Sequence, residues 1–215
     1  KIEDNVSIGS GTYIESPEIH IGRNTNIGND CEFVASRIQV GEFNNISNKV
    51  LVDISGGRSH DSNLITGKGC LIANEVYVNV CRQVEMGENV ALSPKSIIYT
   101  HSYWQSVLDG YQTNFGPVSV GDNSWLGSAA QILPNINVGT GSIILSNSLV
   151  VGHVKPYTMV GGVPSKTIKE DLKKNISKKN KEKIIEGLFL ELGDWLYTHH
   201  FKIKKVNNKK INISL

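Results

Sequence analysis

The sequence predicts an all-β solenoid, a chain of very short strands wound into stacked coils, with an α-helical extension at the C-terminal end. Three observations predict it. Apolar residues recur every six positions through most of residues 1–165, glycine follows many of them, and beyond Pro164 the apolar spacing turns helical. A helix needs apolar residues near i, i+3, i+4 and i+7, and a half-buried strand needs alternation, so a strict six fits neither alone. It fits short straight faces joined by tight corners, with one residue per face pointing inward. Each coil then buries apolar surface only against the coils beside it.

The elements follow in chain order. Ile8, Ile14, Ile21, Ile27, Phe33, Val40, Ile46 and Val52 stand six or seven residues apart and define the first coils. Gly9, Gly22, Gly28 and Gly41 follow such residues, and Asn or Asp commonly comes two or three places later. These residue types tolerate the left-handed backbone that tight corners demand. Residues 53–63, DISGGRSHDSN, are polar and Gly-rich and read as an extruded loop. The register resumes at Val80, Met86, Leu92 and Ile98. Residues 99–117, YTHSYWQSVLDGYQTNFGP, break it again with a longer, aromatic loop. The pattern is cleanest at Val120, Leu126, Ile132, Val138, Ile144 and Val150. From Lys166 to about Phe201 the chain reads as helix, with Ile184, Ile185, Leu188, Phe189, Leu192, Trp195 and Leu196 on one stripe. The last residues, KIKKVNNKKINISL, read as a loose end or a short final strand. The expected division is a solenoid body over 1–165 and a basic extension over 166–215.

Composition narrows the function classes. Of 215 residues, 39% are hydrophobic and 20% charged, enough for a packed core. No apolar run reaches ~18 residues, so no transmembrane segment is expected. No signal peptide is visible, and a chain that starts at Lys1 inside a repeat is expected to continue upstream. Cys31, Cys70 and Cys81 are odd in number and lack metal-like spacing, which predicts structural thiols in a reduced, cytoplasmic setting. Residues 166–215 hold 13 Lys against 6 Asp and Glu, whereas residues 1–165 hold 9 Lys and Arg against 14 Asp and Glu. Such a basic tail suits phosphates, an anionic membrane met peripherally, or the acidic body of a neighbouring subunit.

The stretches IYTHSY around His101, VYVNVCRQVEMG around Asn79, and VGDNSWLG through GGVPSKTIKE carry a resemblance. The sequence resembles the hexapeptide-repeat acyltransferases over roughly residues 1–170, in the sugar O-acetyltransferase branch. The resemblance implies a left-handed parallel β-helix; periodicity alone implies only a coil. It also implies a homotrimer, with each site in a groove between two β-helices, and acetyl-CoA as co-substrate. It implies His101 as general base, taking the proton of an acceptor hydroxyl. An imidazole has an ordinary pKa of about 6.5 and can accept a proton at cellular pH; otherwise His101 is a loop histidine bonded to backbone. Asn79 matches a family asparagine that holds the acceptor or the oxyanion, or it belongs to a corner ladder. Tyr103 and Trp104 stack on a sugar ring or pack the loop down. By position, Trp125, Ser128 and Ser146 would lie along the pantetheine arm of CoA, and Lys166 and Lys169 would meet its phosphates, with Ser165 in place of the usual Ala. Lysine offers a point charge there rather than a bidentate fork. The bland alternative makes these serines small coil residues and these lysines solvated.

The expected activity is therefore acetyl-CoA-dependent O-acetylation of a saccharide hydroxyl in surface polysaccharide synthesis, the acceptor being a saccharide or sugar nucleotide. One alternative is N-acetylation of an amino sugar nucleotide, and one of another class is a non-catalytic scaffold. No metal is expected. His60, His101 and His153 lack the closely spaced pair of zinc-dependent relatives of this fold, and the adjacent His199 and His200 would point apart on a helix. VGTGSI lacks the Lys of a phosphate loop, and no nucleic-acid module appears.

Overall fold

The computed structural model describes residues 1–198, 202–207 and 210–214. The chain divides into two compact units, Lys1–Lys173 and Lys174–Leu215.

The first unit is a parallel solenoid. Each turn lays one strand on each of three faces: Ser7–Ile8 on the first, Tyr13–Glu15 on the second and Glu18–Ile21 on the third. The next strand, Asn26–Ile27, then returns to the first face beside Ser7–Ile8. Stacking builds sheets of nine, seven and six strands. The six-residue period becomes three inward columns. Ile27, Ile46, Ile72, Leu92, Leu126 and Ile144 lie in register on the first face, and all are buried. Phe33, Val52, Val78, Ile98, Ile132 and Val150 line up on the second. Ile21, Val40, Thr66, Met86 and Val120 do so on the third. Corner residues take left-handed angles, with φ of 56° at Asn24, 54° at Asn89, and 57° at Asn123 and Asn147.

The register differs from the expected one in one coil. Residues 63–79, which precede the expected return of the register at Val80, already form a full turn: Asn63–Thr66, Leu71–Ile72 and Tyr77–Asn79. Thr66 fills a third-face slot, and its hydroxyl hides it from an apolar count. Val78, not Val80, holds the second-face slot, because it pairs with Val52 and Ile98. Val80 is buried beyond the strand end, in a corner that is wider than six-residue spacing allows.

The helix also starts later than expected. Lys166–Lys169 is a strand, antiparallel to Met159–Gly161 and closing the first-face sheet. Its β-branched Thr167 and Ile168 favour extended backbone. In the second unit, helix α1 spans Lys178–Thr198. Ser177 starts it, with its Oγ accepting the backbone N–H of Asn180 at 3.3 Å. The stripe from Ile184 to Leu196 lies on this helix, with Leu196 buried and Ile184, Leu188 and Leu192 exposed. The C-terminal stretch forms two strands rather than one, Lys202–Asn207 and Lys210–Ser214, paired antiparallel. Among the described residues, no helix is long and apolar enough to cross a membrane.

Candidate functional site

Both extruded loops leave the solenoid at the same edge, between the second and third faces. The second-face strands Leu51–Asp53, Tyr77–Asn79 and Ile97–Ile98 stack there, with Asp53 opposite Asn79. The shorter loop follows Asp53 and the longer one follows Ile98, so they flank the coil that carries Asn79.

His101 opens the strand His101–Ser102, which pairs antiparallel with Asn114–Phe115 and pins the foot of the longer loop. Its half-buried ring stacks near Phe115, with centroids 6.1 Å apart and planes at 26°. The Arg82 guanidinium lies over the same phenyl ring, 4.9 Å from its centroid. Nδ1 of His101 is 3.0 Å from Oδ1 of Asn79.

The partners of Asn79 determine which way its amide faces. Nδ2 donates to Asp53 Oδ1 at 3.1 Å and to the Ser55 carbonyl at 2.7 Å. The oxygen therefore faces Thr100 Oγ1 at 2.7 Å, the Cys81 N–H at 3.3 Å, and His101. An amide oxygen only accepts, so the hydrogen of the neutral imidazole belongs on Nδ1 and the lone pair on Nε2. Asn79 is fully buried and both its side-chain N–H groups are taken, so neither is free to hold an acceptor or an oxyanion as expected. The corner ladder runs elsewhere: Asn48 Oδ1 accepts from the Asn29 N–H, and Asn74 Oδ1 from the Asn48 N–H.

Asp53 anchors this network. Its Oδ1 also accepts from Tyr77 Oη at 2.9 Å and from the Ser55 N–H, and its Oδ2 accepts from the Ser55 hydroxyl. Burial and the bond to Asp53 push the Tyr77 phenol up to about 12, so it stays a donor. Burial likewise raises the Cys81 and Cys70 thiols, which disfavours thiolate chemistry.

Tyr103 and Trp104 lie next along the loop and do not pack it down: Trp104 is 97% exposed and Tyr103 65%. A short 3₁₀ turn, Val107–Asp109, carries Leu108, which is equally open at 94%.

The coenzyme candidates gather on another part of the prism. Trp125 lies on the first face, with Nε1 donating to Ser93 Oγ at 2.8 Å. Ser128 and Ser146 occupy successive corners between the first and second faces, are exposed, and are joined by the Asn147 N–H to the Ser128 carbonyl at 2.9 Å. A Cβ on Gly127 would lie 2.6 Å from the Ser146 nitrogen, so only glycine lets these corners stack. Lys166 and Lys169 are exposed on the strand that closes the first-face sheet. The structure thus brings His101 and Asn79 together and leaves these five apart from them, on other surfaces.

His60 is exposed in the shorter loop, and Nδ1 of His153 accepts the Asn137 N–H at 3.1 Å. His199 and His200 lie outside the described residues. Among the described residues, no three His, Cys, Asp or Glu side chains cluster as metal ligands do.

No family model matches the chain. The chain is 33% identical over 108 residues to a chloramphenicol acetyltransferase of Morganella morganii, covering 50% of this chain and 51% of that one. It therefore spans about half the length of that relative. A probable macrolide acetyltransferase of Lysinibacillus sphaericus is 32% identical over 134 residues, covering 61% of this chain and 69% of its own. The chain belongs to the hexapeptide-repeat acyltransferases. Another member matched by this acyltransferase-family chain is the galactoside O-acetyltransferase of Escherichia coli, 25% identical over 114 residues, with 52% and 56% of the two chains covered. The fold is the left-handed parallel β-helix of the family. It is shared with a variant of AntD, an N-acyltransferase from Bacillus cereus solved with dTDP and coenzyme A, at 19% identity and a TM-score of 0.51 over 86% of this chain and 91% of that one.

Proposed function

We propose that the chain transfers an acetyl group from acetyl-CoA to a saccharide hydroxyl, with His101 Nε2 as general base. The observation that carries this reading is the Asn79 oxygen turned toward His101, which sets the imidazole hydrogen on Nδ1. Nε2 takes the hydroxyl proton as that oxygen attacks the thioester carbonyl. The tetrahedral oxyanion then collapses, expelling the CoA thiolate, and the proton passes from Nε2 to sulfur. No covalent enzyme intermediate is needed, and the buried thiols offer no nucleophile.

The split between the two surfaces supports a homotrimer. One copy supplies His101 at its second-to-third edge, and a neighbour supplies Trp125, Ser128, Ser146, Lys166 and Lys169. Tyr103 and Trp104, exposed beside the base, offer rings on which a sugar can stack. We extend this reading to a role in surface polysaccharide synthesis in the cytoplasm, where acetyl-CoA and sugar nucleotides would be the donor and acceptor. A second reading, an apolar alcohol as acceptor, is favoured by the open Leu108 and Trp104 together with the chloramphenicol and macrolide relatives.

The test is thiol release from acetyl-CoA with a galactoside, an oligosaccharide, chloramphenicol and an amino sugar nucleotide as acceptors. His101→Ala should lower the rate by about a hundredfold while CoA still binds. Wild-type turnover by that variant would refute the assignment, and the preferred acceptor separates the two readings.

A further inference from the structure

The shorter loop does more than cover the edge. Gly56 has φ of +98°, and a Cβ built on it would lie 2.8 Å from both Cγ and Cδ2 of His101 and 3.0 Å from Nδ1. Three ring atoms at nearly one distance mean that the missing side chain would fall on the imidazole itself. The neighbouring Gly57 has φ of +116°, and a Cβ there would meet nothing within 4 Å.

The loop is held firmly enough for that contact to matter. On one side of Gly56, Ser55 accepts from Asn79, and Asp53 accepts from Asn79 and Tyr77. On the other side, Arg58 pairs with Glu15 at 3.0 Å, and the Ser59 carbonyl accepts from Ser36 Oγ at 2.8 Å. Ser62 Oγ donates to the Cys81 carbonyl at 3.2 Å, which ties the loop to the Asn79 coil. One short segment thus holds Asn79, which sets the imidazole hydrogen, and lies flush against the ring.

We propose that Gly56 is a positioning residue of the reaction: its bare Cα is the seat on which the His101 ring rests. The proposal builds on His101 acting as the base. Any side chain at position 56 displaces the imidazole from Asn79 and turns Nε2 away from the acceptor. Geometry at this scale governs rate, since a displacement of about 1 Å can cost about a hundredfold.

Gly56→Ala and Gly57→Ala form a matched pair, because both place a side chain at positive φ and only the first meets the ring. Acetyl-CoA turnover with the fastest acceptor of the panel above is measured alongside the ¹⁵N and ¹H signals of the His101 ring. Gly56→Ala is expected to lower kcat about tenfold or more, hold the KM for acetyl-CoA within about twofold, and shift the ring signals. Gly57→Ala should leave both close to wild type. Equal losses in the two variants, or unmoved ring signals in Gly56→Ala, would overturn the proposal. In the unsubstituted chain, an NOE between the Gly56 Hα and the His101 Hδ2 is also expected. Its absence would overturn the proposal however the variants fold. Full turnover by His101→Ala would sink the proposed function, yet the NOE and the ring signals would still decide whether Gly56 is the seat.

Discussion

Replacing Asn79 by alanine tests the core of the site. The side chain has two hydrogen bonds through Nδ2 and faces three donors through Oδ1. Not all of these groups are stranded by the change. Asp53 keeps Tyr77 and Ser55, and Thr100 Oγ1 can turn to the Asn79 carbonyl, 3.0 Å away. The buried Cys81 N–H loses its acceptor, and the His101 Nδ1–H loses its own. One or two unsatisfied groups at about 1–3 kcal/mol each give about 2 kcal/mol after partial hydration. For a chain of this size that lowers Tm by about 4–8 °C. The rate should fall further than the stability implies. The lost Nδ1–H bond, at about 1 kcal/mol, removes about a fivefold bias toward the productive tautomer. A freed ring also misplaces Nε2, so the total is about tenfold or more in kcat, with CoA affinity unchanged. Melting curves, thiol release and the ¹⁵N shifts of the imidazole read these effects separately. A lower Tm with unaltered kcat and unaltered ring nitrogens would refute the reasoning and leave Asn79 a purely structural residue.

The remaining predictions concern the tyrosine bonded into the network and the proposed coenzyme wall. Tyr77, raised from 10 to about 12, favours the fold through its neutral form. Its contribution is whole below pH 10 and is lost as pH rises through 12. Tyr77→Phe should flatten Tm against pH over that window, and a wild-type slope in the variant would contradict the assignment. Replacing Lys166 and Lys169 together by alanine should weaken CoA binding about tenfold in calorimetry, more at low salt than at high salt. Unchanged affinity would remove the phosphate role from this pair.

The solenoid was legible because one residue in six must point inward, and that demand writes a period into the sequence. Where the demand is met by a polar residue the period disappears. Thr66 occupies a buried slot between Val40 and Met86, and without it Ile72 and Val78, six residues apart, make too short a run to mark the turn over residues 63–79. The edge of the site was half legible. His101 announces itself by interrupting the rhythm, and the loop at 53–63 by its composition. That the two meet was not visible, because Asp53 and Asn79 become neighbours only once Val52 and Val78 share a column. That alignment was the available signal, and reading Val80 as the in-register residue concealed it. Ser55, Gly56 and Phe115 have no chemistry of their own to reveal them; each matters through what it touches. The strand at Lys166–Lys169 was missed because the lysines around it suit a helix as well as an edge strand.

The stacked corner at Gly127 and Ser146 has a counterpart in how such enzymes can diverge. A turn with no space for one extra methyl tolerates little substitution at Gly127, in the wall proposed for the coenzyme. The edge between the second and third faces already accommodates excursions of eleven residues at 53–63 and nineteen at 99–117 without interrupting the coils beneath. Exchanging residues 103–113, which lie beyond the paired foot that carries His101 and Phe115, for the corresponding loop of another family member is therefore the economical route to a new acceptor specificity, with the coil stack left as it is.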